Sequence, residues 1–113
     1  VEILIGQTEG VATVEPRGRI DSMTAKEFGD RVGTLIRSGG KRVVIDLANI
    51  AYISSAGFRA LLIAGKLAEE AEGKLALCGV AGEVRRLFEI SAFDTTFQIY
   101  PTREECIAKV QAG

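Results

Sequence analysis

Apolar residues along the chain alternate between strand-like runs and helix-like spacing. Residues 1–5 form a short apolar run and residues 11–15 an alternating one, joined by a polar return at Gln7–Gly10 that ends in glycine; this predicts an opening pair of strands. Gly18-Arg19-Ile20-Asp21-Ser22 is then expected to be a loop. From Ala25 the spacing becomes helical, with Phe28, Val32, Leu35 and Ile36 on one face and Thr24/Glu27 spaced as a capping box; Gly39-Gly40 closes that helix. Val43-Val44-Ile45, inside residues 42–47, is a continuous apolar run suited to a strand covered on both faces. A helix is predicted over residues 55–71 with Gly73 behind it, a strand over 74–78 exiting through Gly79 and Gly82, and a short helix over 83–90 carrying Val84, Leu87 and Phe88. The last strand is expected at 96–100. Pro101 breaks it, and Thr102 with Glu105 reads as a second capping box for a helix to about residue 111. The predicted order is ββαβαβαβα: an α/β protein of one domain, residues 1–113, with about four helices on a mixed, mostly parallel sheet whose opening pair is antiparallel.

Composition narrows the function classes. The 113 residues are 47% hydrophobic and 26% charged, which fits one ordinary globular domain. Net charge is −1, from 14 basic and 15 acidic side chains interspersed along the chain, so direct nucleic-acid binding is not expected. The apolar runs are too short to insert into a membrane, and a cytoplasmic location is expected. The chain opens on Val1, consistent with a processed or trimmed protein. There is no histidine, which removes a Ser-His-Asp triad, a Cys-His pair, a histidine phosphorelay and any His-ligated metal. Cys78 and Cys106 lack CxxC spacing and read as small apolar core residues of a reducing compartment. No cofactor and no metal is expected.

Candidate chemistry concentrates in Ile53-Ser54-Ser55-Ala56-Gly57, at the start of the predicted second helix. Ser54 is placed to cap that helix, which leaves Ser55 at its first position with an outward hydroxyl. Free N–H groups and the positive end of the helix dipole favour a negative charge there. Ala56 and Gly57 carry almost no side chain and would let another protein approach the backbone. At 100° per residue Arg59, Ile63, Lys66 and Glu70 share an outer stripe, while Phe58, Leu61, Leu62, Gly65 and Ala68 face the sheet. Ile63 is then an apolar anchor among charges, with Arg59 and Lys66 as its rim. Catalysis is not expected, because Ser55 has no histidine, no G-x-S-x-G elbow and no nearby lysine, and neither a Walker loop nor GxGxxG is present.

The longer stretch, Asp46-Leu47 followed by Ile50-x-Tyr52-Ile53, the serines, and Gly57-Phe58-x-Ala60-Leu61-Leu62, resembles the central motif of the STAS domain family. Gly18-Arg19-Ile20-Asp21, Leu87-Phe88 and Phe93-Asp94 resemble further family segments, so the likeness covers nearly the whole chain. It implies an anti-sigma factor antagonist in a partner switch. Such a protein binds an anti-sigma serine kinase when unphosphorylated, is released on serine phosphorylation and is restored by a serine phosphatase. The phosphoacceptor falls on Ser55, with Ser54 as the second candidate, the corner glycine on Gly57 and the acidic kinase contact on Asp21. Partner contacts are expected at Asp21, Ser22, Ser54, Ala56, Gly57, Arg59, Ile63 and Lys66. The family commonly has Asp where this chain has Ser54 and often a second serine where it has Ala56, which bears on how a kinase orients the acceptor. The other outputs consistent with the resemblance are a STAS subunit or fragment regulating a membrane-transport complex and a phosphoswitch acting on something other than a sigma factor.

Overall fold

The computed structural model describes residues 2–91 and 96–112; Phe93-Asp94, part of the family resemblance, lies outside them. Its elements run β1 (Glu2–Thr8), β2 (Val11–Ile20), α1 (Ala25–Arg37), β3 (Arg42–Asp46), β4 (Ile50–Ile53), α2 (Ser55–Glu70), β5 (Lys74–Cys78), α3 (Gly82–Ile90), β6 (Ile99–Tyr100) and α4 (Arg103–Ala112). The sheet order is β1-β2-β3-β5-β6, with β4 paired to β2. β1 and β2 are antiparallel and every other pairing is parallel.

The expected architecture holds, with one additional strand. Residues 50–53 are a strand rather than a spacer, and β2 continues to Ile20, through the first three residues of the loop expected over 18–22. The two differences have one cause. The first half of β2 pairs with β3 (Ala12 to Val14 against Val43 to Ile45), and its second half pairs with β4 (Gly18 to Ile20 against Ile50 to Ile53). Pro16, which cannot donate to a ladder, falls in the gap between these pairings, and Gly18 takes φ +102° at the register shift that follows. β3 and β4 are thus consecutive partners of one long strand, and the chain needs only a short step between them. That step is held by the Asp46 carboxylate accepting the Ala48 N–H at 3.0 Å and by Ile50 N–H donating to the Leu47 carbonyl at 3.2 Å.

Adjacent strand residues point to opposite faces of the sheet and feed separate cores. Ala12, Val14, Val43, Ile45 and Leu77 join the main core with Phe28 and Val32 of α1, Phe58 and Leu61 of α2, and Val84 and Phe88 of α3. Val11, Val44, Ala76 and Cys78 face the other way, against Cys106, Ile107 and Val110 of α4. Phe58 and Phe88 meet edge-to-face at 4.9 Å and join α2 to α3. Both cysteines are free and fully buried, as small core residues would be. The neighbouring Cys106 thiol and burial together push the Cys78 thiol far above its ordinary range.

The helix starts depart from expectation at one end and match at the other. Thr24 makes no capping bond to α1. Asp21 does that work instead, its carboxylate accepting from Met23 N–H at 3.0 Å and Thr24 N–H at 3.1 Å. Thr102 does cap α4, accepting the Glu105 N–H at 3.2 Å. One turn of α4 is also anchored by charge. Arg103 reaches Glu15 at 2.6 Å and Asp46 at 3.0 Å, and Glu15 is further bonded by Arg17 and Asn49, each at 2.8 Å.

The hydrogen bond from Arg17 is the largest influence holding the Glu15 carboxyl below its ordinary value, with Asn49 and Arg103 acting in the same direction against the opposing effect of burial. A carboxyl depressed in the folded state stabilises the fold above its unfolded pKa, and that contribution is lost as pH falls through the folded value. Stability should therefore drop as pH falls below about 4.5, and Glu15→Gln should flatten that part of the profile, as read from urea midpoints across pH 3–6.

Candidate functional site

Parallel pairing of β2 with β4 sets Ile20 beside Ile53, so the residues that follow each strand emerge together at one edge of the sheet. After Ile20 comes the Asp21 turn; after Ile53 come the serines and α2. A backbone bond from Ser54 N–H to the Ile20 carbonyl at 2.8 Å joins the two exits.

Ser54 is the N-cap of α2, in extended conformation (φ −89°, ψ 174°), with its hydroxyl oxygen accepting the Gly57 N–H at 3.2 Å. It is half-buried and occupied by this task. Ser55 opens the helix, is exposed, and among the described residues its hydroxyl has no hydrogen-bond partner. The first turn of α2 holds no acidic residue. The positive end of the helix is therefore not offset from within.

Gly57 has a different reason for its size than an open approach to the backbone. It is buried, and a Cβ on it would lie 2.6 Å from Ile53 Cγ1, 2.9 Å from Ile20 Cγ2 and 3.1 Å from the Ile20 carbonyl oxygen. Glycine here lets the first turn of α2 sit directly on the ends of β2 and β4. Ala56 is half-buried beside it.

Two grooves flank the corner. One, of about 380 Å³, runs between α1 and α2 and is lined by Ser22, Lys26, Ala56, Arg59, Ile63 and others. The second, of about 480 Å³, lies between α2 and α3, with Tyr52, Ser54, Ser55, Leu62, Leu87 and Ile90 among its lining residues. The helices α1 and α2 approach closely because small residues meet: a Cβ on Gly29 would contact the Ala60 methyl at 3.5 Å. Ala60, Ala64 and Ala68 are all buried at four-residue spacing, small residues of which Ala60 meets α1.

The structure brings Asp21, Ser22, Ser54, Ser55, Ala56, Arg59 and Ile63 to this corner. Ile63 is 55% exposed on the outer side of α2, as expected. Lys66 is not with them: it lines a separate groove beside Gly73, Lys74 and Gln98, about 16 Å along the helix from Ser55. The Asp21 carboxyl is held below its ordinary value by the backbone N–H of Thr24 first and that of Met23 next, so its charge persists near neutral pH while its oxygens serve its own turn. Sequence reasoning missed Met23 and Ile90. They are 87% and 74% exposed; Ile90 lines the groove that holds the serines, whereas Met23 lies with Lys26, Glu27 and Asp30 along α1. Tyr52, whose ring carries the Arg19 guanidinium at 4.5 Å, was also missed; its signal was the unrecognised strand β4.

Residues 2–106 match the family model of the STAS domain. The chain belongs to the STAS domain family. BtrV of Bordetella bronchiseptica, designated an anti-sigma factor antagonist, is 32% identical over 108 residues, covering 96% of this chain and 93% of that protein. The crystal structure of an anti-sigma factor antagonist from Mycobacterium paratuberculosis superposes with a TM-score of 0.85 at 25% identity, covering 97% of this chain and 93% of the other. SpoIIAA of Bacillus, solved in its phosphorylated form, shares the fold with a TM-score of 0.73 at 18% identity, covering 96% of this chain and 99% of the other. These relatives are named for regulation rather than for catalysis. Among the described residues, no helix of this STAS domain is long and apolar enough to cross a membrane.

The geometry separates the roles of two small residues at the corner. Ser54→Ala should cost about 1 kcal/mol through the lost cap. Gly57→Val should cost about 1–3 kcal/mol through overpacking against Ile20 and Ile53. Chemical denaturation of the purified variants measures both.

Proposed function

We propose that this STAS domain is an anti-sigma factor antagonist working in a cytoplasmic partner switch. Unphosphorylated, it docks its serine corner and the adjacent face of α2 on an anti-sigma serine kinase and so frees the sigma factor that kinase restrains. The kinase then acts on Ser55: the Ser55 oxygen attacks the γ-phosphorus of a nucleoside triphosphate, its proton passes to a base of the kinase, and the nucleoside diphosphate leaves. The phosphorylated domain is released, and a serine phosphatase returns it to the binding form by hydrolysis.

One observation carries this reading. Ser55 is exposed and uncommitted at the start of α2, whereas Ser54 beside it is occupied by the cap. Ser55 is therefore the hydroxyl that can leave its place without loss to the fold. The setting agrees, since Ile63 in one flanking groove and Ile90 in the other supply exposed apolar contact and the grooves supply shape. A phosphate on Ser55 adds a charge of about −1.5 to −2 in the middle of that surface. The helix N-terminus tolerates this charge, while an apolar or acidic partner surface does not. The relatives' designations as anti-sigma factor antagonists, and a fold-mate solved in a phosphorylated form, support the same assignment.

The test starts from the kinase recovered with the wild-type domain from its native cells. Ser55→Asp should weaken binding to it at least about tenfold, or ~1.4 kcal/mol, by titration calorimetry, with an unchanged melting temperature. Equal affinity of the two forms would sink the switch. Ile63→Glu should weaken the same complex without altering thermal stability, because Ile63 is an exposed contact and not core.

A further inference from the structure

We infer that Arg59 is a phosphate clamp in cis, and that phosphorylation remodels the docking surface by drawing this guanidinium from one groove to the other. The inference rests on Ser55 being the phosphoacceptor and adds a second component to the switch. Ser55 and Arg59 stand four residues apart on α2, which places their Cβ atoms about 5–6 Å apart on one face of the helix. An anion N-terminal to a cation at this spacing is the favourable orientation. Arg59 is exposed, and among the described residues its guanidinium has no ion pair or hydrogen bond.

The cations of the α1 side and of β2 do not reach the second groove. Arg19 lies over the Tyr52 ring at 4.5 Å, Lys26 pairs with Asp30 at 2.8 Å, and Arg37 folds back on its own helix beside Gly33. On the other side of the corner stands Asp21, whose charge repels a phosphate from the end of β2. The α3 side of the second groove contributes Leu87, Ile90 and Ser91, none of them charged. Arg86 of α3 is exposed but does not line this groove, so among the described residues that line it with Ser55, Arg59 is the one cation.

Position turns this pairing into a device. Among the described residues Arg59 alone lines both grooves, the one with Ile63 and Ser22 and the one with Ser55 itself. In the unphosphorylated domain it is available to an acidic group of a partner seated between α1 and α2. A bidentate bond to phosphoserine draws it toward the second groove. Phosphorylation then removes a positive charge from the first groove as well as adding negative charge at the corner. The partner's contact in that groove is accordingly a carboxylate.

The test uses the full chain with phosphoserine installed at position 55 during translation, so it needs no kinase, and its outcome is separable from that of the kinase-binding experiment. Phosphorus NMR should show the second phosphate ionisation about 0.5–1 unit lower than in the Arg59→Gln variant carrying the same phosphoserine. Arg59→Lys should recover much of that difference, whereas Lys109→Gln, a charge removed on the opposite face, should not change it. In the unmodified chain Arg59→Gln should weaken kinase binding, and in the phosphorylated chain it should have little further effect. Identical titration of the phosphate with and without Arg59, or a shift equally produced by Lys109→Gln, would overturn the clamp. Circular dichroism of each variant confirms that the helix is intact.

Discussion

The constraint on which the site depends is the division of β2 between two parallel partners. Its first half belongs to β3 and the central sheet, and its second half belongs to β4. Without the second pairing, the Asp21 turn and the serine corner would have no fixed relation, since nothing in sequence separation brings them together. With it, Ile20 and Ile53 lie side by side, Ser54 N–H closes on the Ile20 carbonyl, and α2 begins on a platform formed by two strand ends. Gly57 completes the arrangement, because only a residue without a side chain lets the first turn descend onto that platform.

A surface module of this kind gains from a rigid base. The large side chains of the buried main core are fully or nearly fully buried, and the Gly29–Ala60 contact lets α1 pack close to α2, which fixes the corner and its grooves. The exposed apolar side chains flanking the corner, Ile63 and Ile90, carry some cost in solubility. The division of labour between adjacent serines follows from the same rigidity. One hydroxyl is part of the scaffold and the next is left outside it.

Charge is used in two different ways. On the far side of the sheet, Arg103, Glu15, Asp46, Arg17 and Asn49 form a closed and partly buried set that holds α4 in place. Around the corner, by contrast, the cations are exposed, and among the described residues Arg59 has no ion pair. The absence of histidine means that no unperturbed side chain changes charge near neutral pH.

Most of the fold could be read from the chain because strand and helix periodicities are local properties. The run Val43-Val44-Ile45 announced a strand covered on both faces, the Ala25 to Ile36 spacing announced α1, and the serines announced the start of α2. The exposure of Ser55 beside a capping Ser54 was legible for the same reason, since a cap residue and the residue after it differ in exposure by helix geometry, while the phosphoacceptor role was an implication of the family resemblance. What only the tertiary structure decided is pairing and contact. β4 is four residues long and Pro16 argues locally against a continuous β2, so neither the extra strand nor the junction it makes with Ile20 has a local signature. The role of Gly57 as a packing contact and the approach of Ile90 of α3 to the serine corner depend on which elements come to lie together. These are long-range facts, set by how the sheet is assembled, and residue spacing along the chain does not encode them.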